Sequence, residues 1–272
     1  MNGSVKLISL LGPAHSAQAW EDFVRTRLAT DIAGLTRLVF NEVLPVDVRG
    51  GGDPLPPYVA IIETWFSGRE SADAFAANVR EGGDCVQLYV NPLLINDRGT
   101  RPLPNKIMVT LMRRADLTRE QAQHHWRTRH VEVGLVEHNA ADFLQLYFQN
   151  HVFDSDQPRG SALDFDGMPE FWVDPADLAE VGAESPVMRA IADDELLFVD
   201  RTAIVTMMVA ERELFVAPGA ESGWPVCTTA LEDALCAGKA SEHSGGRAEA
   251  RDFGRTGLPP RWAGKMCRSL VG

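Results

Sequence analysis

The order of apolar and polar positions in the first third of the chain predicts six elements. Residues 5–11 (VKLISLL) are a short apolar run stopped by Gly12-Pro13, which predicts a strand. Across residues 16–29, Trp20, Phe23, Val24 and Leu28 recur at helical spacing. Residues 35–48 read as extended, and a flexible connection, Gly50-Gly51-Gly52-Asp53-Pro54, follows. A β-rich strand over 58–66, a helix over 71–79 and a strand over 86–90 complete the order βαββαβ.

The same order then returns. Residues 106–112 (KIMVTLM) form a strand, and 117–130 (LTREQAQHHWRTRH) form a helix. Thr118 followed by Gln121 is a capping-box signature, and Ala122, Trp126 and His130 fall on one face. Residues 143–153 are extended, 164–173 form a strand, 175–188 hold short helical pieces, and 197–209 form the closing strand.

Residue matches accompany the pattern. Lys6-Leu7-Ile8 aligns with Lys106-Ile107-Met108, and Arg25-Thr26-Arg27 with Arg127-Thr128-Arg129. Glu63-Thr64-Trp65 aligns with Glu170-Phe171-Trp172, and Leu88-Tyr89-Val90 with Leu197-Phe198-Val199. The chain is therefore read as an internal duplication: a first repeat over 1–100, a second over 101–214, and an extension over 215–272. Aligned on Arg-Thr-Arg, His130 falls opposite Leu28 and His151 opposite Val43, so only the second repeat carries the imidazoles.

Composition narrows the classes of function. A net charge of −12 argues against nucleic-acid and anionic-membrane partners, and no segment approaches a membrane span. Four cysteines without C-x-x-C or zinc-ligand spacing read as free thiols in a reducing cytoplasm. The sequence shows no nucleophile elbow, dinucleotide fingerprint, P-loop or metal motif. In the extension, Thr229 with Glu232 reads as a helix cap, and Arg261, Trp262 and Met266 as an anchor back onto the body.

The candidate chemistry lies in the second repeat. On one face of strand 143–153 lie Phe143, Gln145, Tyr147, Gln149 and His151, and on the other Leu144, Leu146, Phe148 and Val152. The apolar face is expected beneath the helices and the mixed face in the barrel interior. Asp164, Asp166, Glu170 and Trp172 share a face of the next strand, where a carboxylate would meet His151 or His130 as an acid/base pair. His124 and His125 point off the core face and are expected at the surface. The expected catalytic residues are His130, His151, Tyr147 and Glu170. Trp126, Phe143, Gln149, Asp166 and Trp172 are the expected substrate contacts.

Leu117-Thr118-Arg119-Glu120, His125-Trp126-Arg127-Thr128-Arg129-His130, Tyr147-Phe148-Gln149-Asn150-His151 and Phe165-Asp166-Gly167-Met168-Pro169-Glu170-Phe171-Trp172 together resemble the EthD family of the dimeric α+β barrel superfamily. The resemblance implies an α+β fold: two tandem ferredoxin-like βαββαβ units forming an intrachain pseudo-dimeric α+β barrel. Together with these residues and the free thiols it leads to the expectation of a cytoplasmic enzyme that needs no cofactor and does acid/base chemistry on an aromatic or polyketide-like substrate, as a cyclase, dehydratase, lyase or isomerase. Two alternatives stay open: a haem-binding or oxygen-using member, and a non-catalytic accessory or ligand-binding protein of a catabolic oxygenase system. A homodimer of such pseudo-dimeric chains also stays open.

Overall fold

The computed structural model describes residues 4–28, 32–48, 55–99, 101–103, 105–182 and 185–219. The extension's expected cap and anchor lie outside the described residues. The first half holds β1 (Val5–Leu11), α1 (Ala17–Leu28), β2 (Leu35–Val43), β3 (Ala60–Phe66), α2 (Arg69–Gly82) and β4 (Cys85–Asp97). The second holds β5 (Asn105–Val109), α3 (Arg119–His125), β6 (Leu144–Ser155), β7 (Gly167–Val173), α4 (Pro175–Val181), α5 (Pro186–Phe198) and β8 (Thr206–Val216). No helix among the described residues is long and apolar enough to cross a membrane.

The eight strands of the described residues pair antiparallel into one closed barrel in the order β1-β3-β2-β8-β5-β7-β6-β4. Each half contributes its strands in the same relative order, and the halves join edge to edge where β2 pairs with β8 and β4 with β6. Closure leaves no strand edge unpaired around the ring. The helices cover the outside. In the first half, Trp20 and Val24 of α1 and Phe75 and Val79 of α2 pack on Leu7, Leu38, Phe40 and Ile62, filling the layer between helices and sheet.

The lumen is buried as well, and its middle is ionic. Lys6 reaches Glu63 (2.7 Å), Glu170 (2.6 Å) and the Asn150 amide oxygen (2.9 Å). Lys106 pairs with Glu63, Glu170 (3.1 Å) and Glu211 (2.8 Å). Lys6 lies 4.7 Å from the centroid of Trp65, and Lys106 4.8 Å from that of Trp172. Each ammonium therefore has carboxylates and an aromatic face in place of the water it lost on burial. One end of the lumen is closed by apolar side chains, Ile8, Leu10, Ile61, Met108, Met168 and Met207 among them.

Two sequence expectations are corrected here. The stretch Leu197-Phe198 ends α5, and the closing strand begins only at Thr206. In the pairing ladders Lys6 faces Val90 and Lys106 faces Val209, so the Leu88–Val90 match with Leu197–Val199 is coincidental. The faces of β6 are also reversed. Leu146 and Phe148 pack with Trp172 on the lumen side, while Tyr147, Gln149 and His151 lie beneath the helix that carries Trp126.

Candidate functional site

The helix-covered layer of the second half is hollow. A cavity of about 230 Å³ lies between the outer face of the second-half strands and the helices, with Trp126, Val131, Leu135, Phe143, Phe171 and Ile191 in its wall. The apolar side chains there form separate small clusters around the void, where the first half has one continuous cluster. His130, Tyr147 and Glu195 bring polar groups to the same wall. An apolar void with a few polar groups is the usual make-up of a small-molecule site.

The capping box sets where the covering helix starts. Thr118 accepts from the Gln121 amide (3.2 Å), and the Gln121 side chain accepts from the Thr118 amide (2.8 Å). After His125 the α-helix gives way to π-helical turns over Trp126–His130 and Glu132–Glu137. In a regular α-helix, residues five apart sit roughly 140° from each other around the axis. The wider i→i+5 winding brings His125 and His130 to the same side. Both meet Asp194 of α5: His125 Nε2 lies 3.0 Å from one carboxylate oxygen and His130 Nδ1 2.7 Å from the other. Phe198 stacks on His125 (ring centroids 4.9 Å) and meets His130 edge-on (5.2 Å).

Burial pushes the Asp194 pKa up, but the hydrogen bonds and charges of His130 and His125 outweigh it and hold the group below its ordinary value. Asp194 is an ionised orienter for His130. Its Nδ1 is committed to the carboxylate, so Nε2 is the nitrogen left for a ligand. At the rim, Glu195 stands 3.5 Å from Arg201 Nε.

Tyr147 is the second polar group in the wall. Its hydroxyl oxygen lies 3.1 Å from Trp126 Nε1 and 3.2 Å from Gln149 Nε2. Burial raises its pKa to about 12 against the lowering effect of those two donors, so the phenol is neutral. Gln149 Nε2 also donates to the Trp126 carbonyl (3.0 Å), and Gln149 Oε1 lies 2.9 Å from His151 Nε2. The His151 ring packs on Trp126 (centroids 4.7 Å), and burial, then the Arg127 charge, push its pKa down to about 3. Gly167 makes this packing possible: a Cβ there would sit 2.3 Å from the Trp126 indole.

Of the residues expected from the sequence, His130, Tyr147, Trp126 and Phe143 line the cavity. Gln149 and His151 sit behind Tyr147 in a buried row. Glu170 and Trp172 are elsewhere, because alternation along β7 turns them to the lumen while Pro169 and Phe171 face the cavity. Asp166 is fully buried and accepts from the Arg113 amide (2.7 Å) and Arg119 Nε (2.8 Å), tying the loop before β7 to the start of α3. The carboxylate that does meet His130, Asp194, was missed, and so was His125, expected at the surface. The signal for Asp194 was its place on a helical stripe with Val187, Ile191 and Phe198, a position that should hold an apolar residue. The pairing ladders also put Glu42, rather than Val43, opposite His151, and Leu38 and Phe40 opposite Tyr147 and Gln149.

Haem, open to some members of the superfamily, does not fit this cavity. The cavity is below the roughly 300–1,000 Å³ of ordinary drug-sized sites, and a macrocycle is larger than such ligands. Among the described residues no group of three or more His, Cys, Asp or Glu side chains is arranged to hold a metal ion.

Residues 114–202 match the family model described as EthD domain. Over those residues the chain is similar to the EthD domain. His130, Tyr147, Asp194 and Glu195 all lie among them, as do Gln149 and His151. Among solved structures, an anthrone oxidase-like protein aligns over 78% of this chain and 94% of its own, with a TM-score of 0.51 and 8% identity. A mutant chlorite dismutase from Candidatus Nitrospira defluvii aligns over 77% and 92%, with a TM-score of 0.44 and 10% identity. At such identities the first likeness is one of fold. No curated protein matches the chain in sequence.

Proposed function

We propose that the EthD-like region is a cofactor-independent acid/base enzyme for a compact aromatic or polyketide-like molecule bound in the second-half cavity. We read the whole chain as two ferredoxin-like units in tandem, of which the first closes the barrel and the second works. The observation that carries the proposal is His130: its side chain is 14% exposed, it is held through Nδ1 by a buried aspartate, and it stands in the wall of an apolar cavity.

In this reading His130 Nε2 takes a proton from carbon beside a substrate carbonyl, and the electron pair moves to the carbonyl oxygen. Tyr147 donates its hydrogen bond to that oxygen as the charge develops. Asp194 stays ionised and stabilises the imidazolium. Returning the proton to another carbon completes an isomerisation. Returning it to a departing hydroxyl group releases water and completes a dehydration; where the enolate carbon first bonds to a second carbonyl carbon of the substrate, whose oxygen takes the proton and then leaves as water, the same steps complete a cyclisation. The apolar wall keeps bulk water from quenching the enolate.

Filling the cavity tests the assignment of the site. Gly134 lines it, and a Cβ there would meet only ordinary contacts, Ile191 at 3.8 Å the nearest. Gly134→Leu should therefore fold and project into the void. Calorimetry with α-tetralone, a bicyclic aromatic ketone, should show affinity falling at least about tenfold, about 1.4 kcal/mol. Unchanged affinity in a folded variant would remove the cavity as the binding site.

A further inference from the structure

The row behind Tyr147 has a fixed direction. The Trp126 carbonyl can only accept a hydrogen bond, so the Gln149 side-chain atom 3.0 Å from it must be the amide nitrogen. That settles which way the amide faces. The same nitrogen lies 3.2 Å from the Tyr147 oxygen, which therefore accepts from it. Trp126 Nε1 can only donate, so the phenol oxygen accepts there too. The remaining amide atom, Gln149 Oε1, can only accept, so His151 Nε2 at 2.9 Å must carry a hydrogen.

Every bond in the row thus points the same way, from His151 through Gln149 to Tyr147. A hydroxyl has two acceptor lone pairs and one proton. Both acceptor sites of Tyr147 are used, and among the described residues its proton has no acceptor. The proton is left to the open side, which is the cavity wall.

The geometry points to a one-way donor chain, His151 to Gln149 to Tyr147, that commits Tyr147 to donate to a carbonyl or oxyanion in the cavity, with His151 and Gln149 as positioning residues. This rests on the reading of the cavity as the ligand site. It gives His151 a role distinct from acid/base catalysis, in keeping with a ring held neutral by burial. Neutral donors that are fixed before the ligand arrives need no reorganisation as charge develops. The first half has no such chain, since Leu38, Phe40 and Glu42 occupy the matching ladder positions.

The carbonyl stretch of bound α-tetralone reads the chain, and naphthalene, which lacks the oxygen, is the control. In the wild type the stretch should fall well below its value in hydrocarbon solvent. Tyr147→Phe should abolish the downshift, while Gln149→Met and His151→Phe should shrink it; all three should leave naphthalene affinity unchanged. In the wild type, ring-nitrogen NMR shifts should show His151 protonated at Nε2 and bare at Nδ1, a readout that stands even if Gln149→Met fails to fold. A full downshift in the His151 and Gln149 variants, or the opposite His151 tautomer, overturns the donor chain and leaves the proposed function standing. A downshift that survives in Tyr147→Phe overturns Tyr147 as donor. Wild-type protein that does not bind α-tetralone overturns both proposals.

Discussion

Replacing His130 by Gln should slow deuterium exchange on the carbon beside the α-tetralone carbonyl, measured in heavy water at saturating ligand, by about 100- to 10,000-fold, the usual worth of a positioned general base. Glutamine can still bond to Asp194, so the fold and the affinity for the ketone should survive while the rate is lost. Asp194→Asn should cost a comparable factor by a different route. An amide nitrogen facing His130 Nδ1 donates where the carboxylate accepted, which drives the ring's proton to Nε2 and removes the base. The paired result matters: a large loss in both variants with little change in affinity marks a base and its orienter. A loss confined to affinity would mark His130 as a binding residue only.

The second large effect is on stability and arises in the lumen. Glu63 touches both buried ammoniums, so Glu63→Ala leaves Lys6 and Lys106 short of a carboxylate. Breaking a buried pair on one side typically costs about 3–5 kcal/mol, which urea unfolding would read directly. Glu170→Gln should cost much less. Burial, then the nearby Glu63 charge, raise the Glu170 pKa, with Lys106 and Lys6 opposing, so less stability depends on its charge than on that of Glu63. For Glu63, burial is overcome by the Lys106 and Lys6 charges and the pKa is lowered.

The two carboxyls therefore act with opposite sign in pH. The contribution of Glu63 is full above the ordinary carboxylate value and is lost as pH falls through its depressed folded value. That of Glu170 is full below its unfolded value and is lost as pH rises through its elevated folded value. Wild type and Glu170→Gln should converge in acid, with the comparison moving in favour of the variant as pH rises. A Glu170→Gln protein as damaged as Glu63→Ala at every pH would contradict this.

The element order, the Thr118 capping box and the matched Lys6/Lys106, Glu63/Glu170 and Trp65/Trp172 pairs were all legible in the chain. The faces of β6 were not. An apolar face usually goes under helices, but a closed barrel buries its lumen too, and Leu146 and Phe148 are as well placed there. The run at 197–209 imitates a strand because α5 ends in Leu196-Leu197-Phe198, Val199 caps it in an extended conformation, and the chain turns once before β8. His125 was hidden because its approach to Asp194 depends on a π-helical turn, and helical spacing assumes 3.6 residues per turn.

The most direct test of the account is a crystal structure with α-tetralone bound. The account predicts the ketone in the second-half cavity, with its oxygen within hydrogen-bond reach of Tyr147 Oη and its adjacent carbon facing His130 Nε2. Ligand in the barrel lumen, on the first half, or in the cavity with its oxygen turned away from Tyr147 and His130, would contradict it.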